Sequence, residues 1–449
     1  MSHFNSLLQF PVSAVLAVGF LLCCLALHCF ARESRAVGLL SSPKTARWLL
    51  AVGALLLAID GTWPIGIHRS PLFAVYVLLL TAALAMTVLC GLQRRKKPGF
   101  ILNHLGMLLI VWASLFGAAD VTKARVMVGR DAGVGMAFDA QGLAVPLPFC
   151  VELEDFWIDY YADGISPRQF TSALRIDGQR METSVNHPCT YRGYTLFQDS
   201  YDRQAGRYSV LQVVRDPWLP VVYLGMMLLA LGSVLLLLGK WKTWQVLPVA
   251  GVLTLLFTYL TIQRISFGTL MPALRSWWFV PHVFIYMVAY ALMALGLLLF
   301  LWEKRAMKRC NDEMVKRCND ETVKQCNDES SPSAATPLHH FTATPLHHYT
   351  IDALAENLVR SAAALLIIGM LTGSVWARQA WGDYWAWDAK ENWAAVTWFL
   401  ALVHLHCRDH RSWKAIAILL LTFLALQVTW YGVSYLPSAP HSLHTYTSS

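Results

Sequence analysis

The sequence predicts an α-helical polytopic membrane protein with about ten transmembrane helices and a small β-rich extracytoplasmic domain. Of its 449 residues, 56% are hydrophobic and only 14% are charged, a composition that is typical of chains embedded in lipid. Apolar runs long enough to cross a bilayer recur along most of the chain. One long polar stretch, residues 120–216, interrupts them and carries short runs that favour β-strands.

Each predicted span is an apolar run bounded by polar or charged residues. The runs cover residues 10–31, 48–63, 71–92, 100–119, 218–239, 245–263, 277–302, 357–376, 392–407 and 413–432. The first run lacks the basic leader and the small-residue exit of a cleaved signal peptide. We therefore expect it to remain in the membrane as a span.

The distribution of lysine and arginine orients these spans, because basic loops stay on the cytoplasmic side. Basic residues cluster in every second connection, at residues 32–47, 94–97, 240–242, 304–324 and 408–414. In a bacterial inner membrane, both termini and the segment 120–216 are then periplasmic. The net charge of +8 comes mostly from the inner loops and gives no reason to expect nucleic acid binding.

A cytoplasmic segment, residues 303–352, carries two tandem eight-residue repeats. Strict repetition at one period is typical of a tandem expansion in a tolerant, largely disordered loop. The alternative is a metal site made by the repeat cysteines and the paired histidines. Its ligands would be Cys310, Cys318, Cys326, His339, His340, His347 and His348. The predicted divisions of the chain are therefore 1–119, 120–216, 217–302, 303–352 and 353–449.

Tryptophan is concentrated in the external stretch 376–398, WARQAWGDYWAWDAKENWAAVTW. If this stretch is helical, Trp381, Trp385 and Asp388 fall on one face. An aromatic belt at the membrane interface explains one or two tryptophans at a helix end, but not six in one stretch. Broad, flat indole rings suit a large planar ligand.

Two motifs carry a family resemblance. The run Trp381-Gly382-x-x-Trp385-x-Trp387-Asp388-x-Lys390-Glu391-x-Trp393 resembles the WWD signature of membrane haem-handling proteins that assemble c-type cytochromes, with Ala389 at the family's usual proline. The segment 185–202, VNHPCTYRGYTLFQDSYD, resembles the extracytoplasmic domain of the partner subunit ResB/CcsB. The matching residues there are Asn186, Pro188, Tyr191, Gly193, Tyr194 and Gln198. The chain thus resembles a System II fusion of a shortened ResB-like half, about 1–240, with a CcsA-like half, about 241–449.

The resemblance implies that haem b is bound on the outer face before it is joined to an apocytochrome c with a C-x-x-C-H motif. The enzyme class it implies is a holocytochrome c synthase, or haem lyase. The haem-binding residues that it implies in the tryptophan-rich stretch are Trp381, Trp385, Trp387, Asp388, Lys390 and Trp393. Lys390 or Arg378 would pair with a propionate, while Asp388 and Glu391 would orient the lysine or cap backbone donors. No residue stands out as a catalytic acid or base.

Histidines at two membrane depths are candidate axial ligands of the haem iron, since neutral imidazole is the usual donor. His104, seven residues after Lys97, and His406, two before Arg408, both lie near the cytoplasmic face. A hydrogen-bonded structural role is the alternative for His104. His404 lies on a different helical face from His406 and is the weaker candidate.

The outer pair would be His282, at the external end of the run 277–302, and a histidine of the tail. His444 matches the H-S-Y ending of the family better, whereas His441 matches the family spacing better, so this choice stays open. About 22 Å of helix separates Glu391 from His406. One iron cannot be ligated at the inner end while its porphyrin stacks on the external tryptophans, so two sites are needed.

The sequence therefore predicts that haem is moved from an inner to an outer site and is there attached to apocytochrome c. The substrate thiols must be reduced outside the cytoplasm, which implies thiol-reducing partner proteins. Cys150 and Cys189 lie in the external segment, either as a disulfide or as two separate buried thiols. Two other classes of function remain: a b-type bis-histidine electron-transfer subunit, and a transporter for another planar solute.

Overall fold

The computed structural model describes residues 8–130, 132–202, 207–238, 251, 254–255, 270–327 and 345–442. The helices are α1 (Val12–Phe30), α2 (Arg35–Leu40), α3 (Pro43–Thr62), α4 (Pro71–Gln93), α5 (Pro98–Gly117), α6 (Leu219–Leu238), α7 (Phe279–Asn327), α8 (Pro345–Trp381), α9 (Ala389–Leu405) and α10 (Trp413–Trp430). The strands are β1 (Thr122–Gly129), β2 (Val134–Phe138), β3 (Ala144–Tyr160), β4 (Pro167–Ile176), β5 (Gln179–Ser184), β6 (Cys189–Tyr191), β7 (Tyr194–Tyr201) and β8 (Tyr208–Arg215).

The predicted fold class is confirmed. Within the described residues, eight helices are long and apolar enough to cross a membrane, and the 17-residue α9 lies at a further predicted span. Nine of the ten predicted spans thus coincide with helices. The predicted span 245–263 lies outside the described residues, apart from residues 251, 254 and 255.

The repeat segment differs from the predicted disordered loop where it is described. Helix α7 continues beyond the predicted span 277–302 to Asn327, and α8 already begins at Pro345. Lysine, glutamate, arginine and methionine are good helix formers, so the first repeats prolong the helix that precedes them. The cysteine and histidine side chains of the suggested metal site lie outside the described residues.

Serine followed by proline starts two of the membrane helices. The Ser42 hydroxyl accepts a hydrogen bond from Thr45 N–H at the start of α3, and Ser70 does the same for Phe73 at the start of α4. Each serine satisfies a backbone donor that the helix leaves open, and the following proline needs no such partner. The serine–proline pairs therefore fix the residues at which α3 and α4 begin.

The segment 122–215, which we call the β domain, is one antiparallel sheet of eight strands in the order β5-β4-β3-β2-β1-β8-β7-β6. The sheet curves round, since the Thr183 hydroxyl of the end strand β5 donates to the Leu196 carbonyl oxygen of β7, which is next to the other end strand, at 2.9 Å. Alternate residues of β1 point inward and are buried with residues of the other strands. Helix α5 enters this domain and α6 leaves it, so the domain is tethered to the membrane at both ends.

Glycine allows α5 and α6 to pack closely. A Cβ atom on Gly106 of α5 would lie 2.5 Å from the Leu229 nitrogen of α6, and one on Gly225 would lie 2.9 Å from the Gly106 carbonyl oxygen. Small residues at such a seam let two membrane helices approach backbone to backbone. This contact fixes the position of α5, and with it His104.

The ends of several elements lie together beside the β domain. The Asp120 carboxylate, just before β1, accepts hydrogen bonds from the Phe10 backbone N–H before α1 and from the Trp218 indole before α6, both at 2.6 Å. Lys123 at the start of β1 forms an ion pair with Asp383. The start of α1, the β domain and the tryptophan-rich stretch therefore share one end of the helix bundle.

Candidate functional site

The tryptophan-rich stretch is not one helix, so the suggested common face of Trp381, Trp385 and Asp388 is wrong. Helix α8 ends at Trp381, and Gly382 follows in a left-handed conformation with φ +84°. Glycine adopts this conformation without the steric cost that other residues meet, and it commonly ends helices. Residues 382–388, which we call the Trp loop, separate α8 from α9.

The two carboxylates at the end of the Trp loop cap α9. Asp388 accepts a hydrogen bond from the Lys390 backbone N–H at 2.8 Å. Glu391 accepts from the backbone N–H groups of Ala386 at 2.7 Å and Asp388 at 3.2 Å. This capping box satisfies donors that the first turn would otherwise leave open. Both acids therefore shape the backbone of the loop.

Two cations were candidates for a propionate, and they have different surroundings. Arg378 is buried, donates to the Gly382 carbonyl oxygen and lies over the Phe197 ring at 5.5 Å. Arg378 therefore stabilises the conformation of the Trp loop. Lys390 is half-buried, and within the described residues no carboxylate lies at ion-pair distance from its ammonium group. Lys390 is thus a better candidate than Arg378 for binding a carboxylate group of a ligand.

Four of the tryptophan rings form two close pairs. Trp376 and Trp381 lie 5.2 Å apart on α8, and Trp385 and Trp387 lie edge to face at 6.2 Å in the Trp loop. Trp393 lies at the start of α9, and its indole N–H is buried without a hydrogen-bond partner among the described residues. Such an orphan donor suits a site that a polar ligand group completes.

His68, between α3 and α4, is the main residue that sequence reasoning missed. Its ring stacks on Trp387 with centroids 4.9 Å apart and planes 4° from parallel. Its Nδ1 lies 2.7 Å from the Asp60 carboxylate, which also accepts from Asn392 of α9 at 3.3 Å. One face of Trp387 is therefore covered. An acidic residue inside a predicted span, Asp60, was the signal that could have revealed this contact.

Replacing His68 by alanine is expected to lower the free energy of unfolding by about 1–3 kcal/mol, because it removes a ring contact and a charge-assisted hydrogen bond. Phenylalanine at this position keeps the stacking and should recover part of the loss. Thermal unfolding of the purified protein measures both changes. Equal destabilisation by alanine and phenylalanine would show that stacking on Trp387 contributes nothing.

The inner pair, His104 and His406, has a common local geometry. His104 Nδ1 lies 2.8 Å from the Phe100 carbonyl oxygen, and His406 Nδ1 lies 2.8 Å from that of Leu402. A neutral imidazole that donates from Nδ1 keeps the lone pair of Nε2 for a metal. The two predicted inner residues thus share the same orientation of Nδ1 toward the carbonyl oxygen four residues earlier.

His404 is part of the helix packing instead. Its ring is fully buried, lies edge-on to Phe300 at 5.8 Å and packs against His410 at 5.2 Å. Its Nδ1 lies 2.9 Å from the Ala415 carbonyl oxygen. These contacts agree with its position on a different helical face from His406.

His282 lies in the first turn of α7, and its ring packs against α8 next to Trp376. Its Nδ1 is 2.7 Å from the Gly369 carbonyl oxygen, and its ring is 6.0 Å from that of Trp376. A Cβ atom on Gly373 would lie 2.5 Å from His282 Cε1. Only glycine leaves room for the imidazole at this point of α8.

The tail returns to the end of α3 that carries Asp60 and Gly61. The buried Ser438 hydroxyl donates to the Gly61 carbonyl oxygen at 2.6 Å. Gly61 follows Asp60 and lies against Asn392 and Trp393. The tail thus begins beside the Trp loop. His444 and the side chain of His441 lie outside the described residues, so the choice between them stays open.

The N-terminal half holds the Trp loop at several points. Gln212 of β8 donates to the Trp381 carbonyl oxygen at 2.8 Å, and the Ser114 and Tyr384 hydroxyls lie 3.0 Å apart. The Lys123–Asp383 ion pair adds a contact from β1. The conformation of the loop therefore depends on residues from both halves of the chain.

The two external cysteines are free thiols in different environments, so the structure contains no disulfide between them. Cys150 is exposed on β3, contrary to the alternative of two buried thiols. Cys189 is buried, and this burial raises the pKa of its thiol to about 11. The Cys189 thiol therefore stays protonated near neutral pH. Because only the thiolate is a strong nucleophile, Cys189 is expected to react slowly.

A maleimide should therefore modify Cys150 but not Cys189 when the folded protein is treated near neutral pH. Peptide mapping by mass spectrometry measures the extent at each site, with denatured protein as the control in which both react. Modification of Cys189 in the folded protein would contradict its burial.

Two known protein families match different parts of this chain. A model described as "Cytochrome C assembly protein" matches residues 218–441, and one described as "ResB-like family" matches residues 93–207. The chain belongs to the cytochrome c assembly family. It is a fused System II protein, with ResB-like and CcsA-like parts in one polypeptide.

Relatives named cytochrome c biogenesis protein CcsA resemble the CcsA-like part. Those of Mesostigma viride and Porphyra purpurea are 30% and 34% identical, and each match covers 44% of this chain and 66% of the relative. That of Prochlorococcus marinus (strain MED4) is 28% identical over 39% of this chain and 55% of the relative. The fused chain thus spans about two thirds or less of these relatives. These matches favour cytochrome c biogenesis over an electron-transfer subunit.

Proposed function

We propose that this cytochrome c biogenesis protein moves haem b from the inner to the outer face of a bacterial inner membrane and attaches it to apocytochrome c. Both termini would lie on the periplasmic side. The supporting observation is the position of His104 and His406 near one end of the helix bundle and of His282 near the other. In each, Nδ1 lies against a backbone carbonyl oxygen, which leaves Nε2 for a metal; the packed His404 shares this local geometry.

Two haem positions follow from helix α9. His406 lies directly after its cytoplasmic end, and the Trp loop lies directly before its external end. Its 17 residues separate the two by about 25 Å. His104 and His406 would hold the iron at the inner position. His282 and a tail histidine, His444 or His441, would hold it at the outer position.

The outer site orients the porphyrin for attachment. Trp381, Trp385, Trp387 and Trp393 would contact the ring, and Lys390 would pair with a propionate. Asp388 would act indirectly, through the backbone of the Trp loop that it caps. We also propose that the domains of the chain end at residues 119, 216, 302 and 352, as the sequence predicts.

The attachment itself needs orientation more than acid–base catalysis. The histidine of the C-x-x-C-H segment replaces one axial imidazole, and each cysteine S–H adds across a vinyl C=C to form a thioether, so no oxidant is consumed. Holding the vinyl groups and the cysteine thiols next to each other lowers the entropic part of the activation barrier. The cysteines must arrive reduced, which implies thiol-reducing proteins outside the cytoplasm.

Co-expression with a C-x-x-C-H reporter tests this function. Haem that stays on the reporter after denaturation, together with a bis-imidazole spectrum of the purified protein, is the expected result. Haem bound to this protein without covalent haem on the reporter would instead favour the electron-transfer alternative. A purified protein without haem absorbance would favour the remaining alternative, a transporter for another planar solute.

A further inference from the structure

Helix α3 contacts both ends of α9. At the external end, Asn392 Nδ2 donates to the Asp60 carboxylate at 3.3 Å. At the cytoplasmic end, Arg47 Nη1 donates to the His406 carbonyl oxygen at 2.9 Å. Helix α3 lies outside both ranges that the family models match. Its polar residues are nevertheless placed beside both proposed haem positions.

Arg47 has unused binding capacity at the inner position. Its guanidinium group carries five N–H donors, and the hydrogen bond to His406 uses one of them. The side chain is half-buried, and among the described residues no carboxylate forms an ion pair with it. A planar guanidinium matches a carboxylate with two parallel hydrogen bonds.

We propose that Arg47 binds a propionate carboxylate of the porphyrin held between His104 and His406. This inference rests on the proposed function. The propionates project from the rim of the ring, and Arg47 lies beside the backbone of one axial ligand, at the cytoplasmic end of the helices. The pairing turns the charged edge of the porphyrin toward the cytoplasmic face and its apolar edge into the membrane.

A purely structural role for Arg47 has a different consequence. A cation at the end of α9 stabilises the helix by binding its last carbonyl groups. Loss of that role would disturb His406 and weaken every porphyrin equally, whether or not its propionates carry charge. The charge of the ligand therefore separates the two roles.

The test uses the full chain in detergent with His282→Ala, so that only the inner position is measured. Hemin and hemin dimethyl ester, whose propionates are uncharged, are titrated, and the bis-imidazole Soret change gives each affinity. With Arg47 present, hemin should bind about tenfold or more tightly than the ester. Arg47→Ala should remove this preference and leave the ester unchanged, and Arg47→Lys should keep part of it.

Lys44→Ala is the matched control, because Lys44 is exposed and lies one turn earlier on α3. It should keep the full preference for hemin. Equal affinities for both ligands with Arg47 present, or equal loss of both in Arg47→Ala, would overturn the inference. No bis-imidazole spectrum with either ligand, in any variant, would instead overturn the proposed function.

Discussion

His282→Ala is expected to lower covalent haem attachment to a C-x-x-C-H reporter by about 100-fold or more, since the proposed outer site would lose an axial ligand of the iron. The inner pair does not depend on this side chain, so the purified variant should still show a bis-imidazole spectrum, at a lower haem content. Pyridine haemochrome assays measure that content, and haem staining of the denatured reporter measures attachment.

His187→Ala is the control for this experiment, because His187 is an exposed histidine of the external domain. It should leave both readouts unchanged. Normal attachment by His282→Ala, with an unchanged haem content, would show that the outer ligand lies elsewhere.

Gly382→Val should lower attachment to the reporter by about 100-fold as well, through misplacement of the Trp loop. At φ +84° a β-branched residue costs about 1–2 kcal/mol. Its Cβ would also lie 2.6 Å from Gln212 Nε2 and 3.1 Å from the Phe197 ring. The loop would therefore separate from the β domain, while the inner pair at the other end of α9 keeps its spectrum.

Gly142→Val gives the matched control. Gly142 has a similar φ of +79°, in a turn of the β domain, but a Cβ there meets nothing within 4 Å. It shares the backbone strain without the clash. If both variants lost attachment equally, contact between the Trp loop and the β domain would not be the cause.

The membrane helices were predictable because their signal is local. Apolar runs and basic loops define spans one at a time, and the depth of His104 or His406 follows from its distance to the nearest basic cluster. The same reasoning placed His282 at an external helix end. These predictions need no knowledge of which helices touch.

The shape of the site was not predictable, because it depends on contacts between distant parts of the chain. Trp387 has φ +60°, a conformation that few non-glycine residues adopt, and His68 covers one face of its ring. Neither fact leaves a periodic pattern in the sequence. The end of α8 at Gly382 was likewise missed, since a lone glycine in an aromatic stretch does not by itself specify a break.

The contacts between α3 and α9 bear on the proposed transfer of haem. Arg47 donates to the carbonyl oxygen of His406 at the end of α9, and Asp60 accepts from Asn392 at its start, so α3 contacts α9 beside both proposed haem positions. In the proposed transfer, both positions therefore lie along one pair of packed helices, and the porphyrin would have to move relative to that pair.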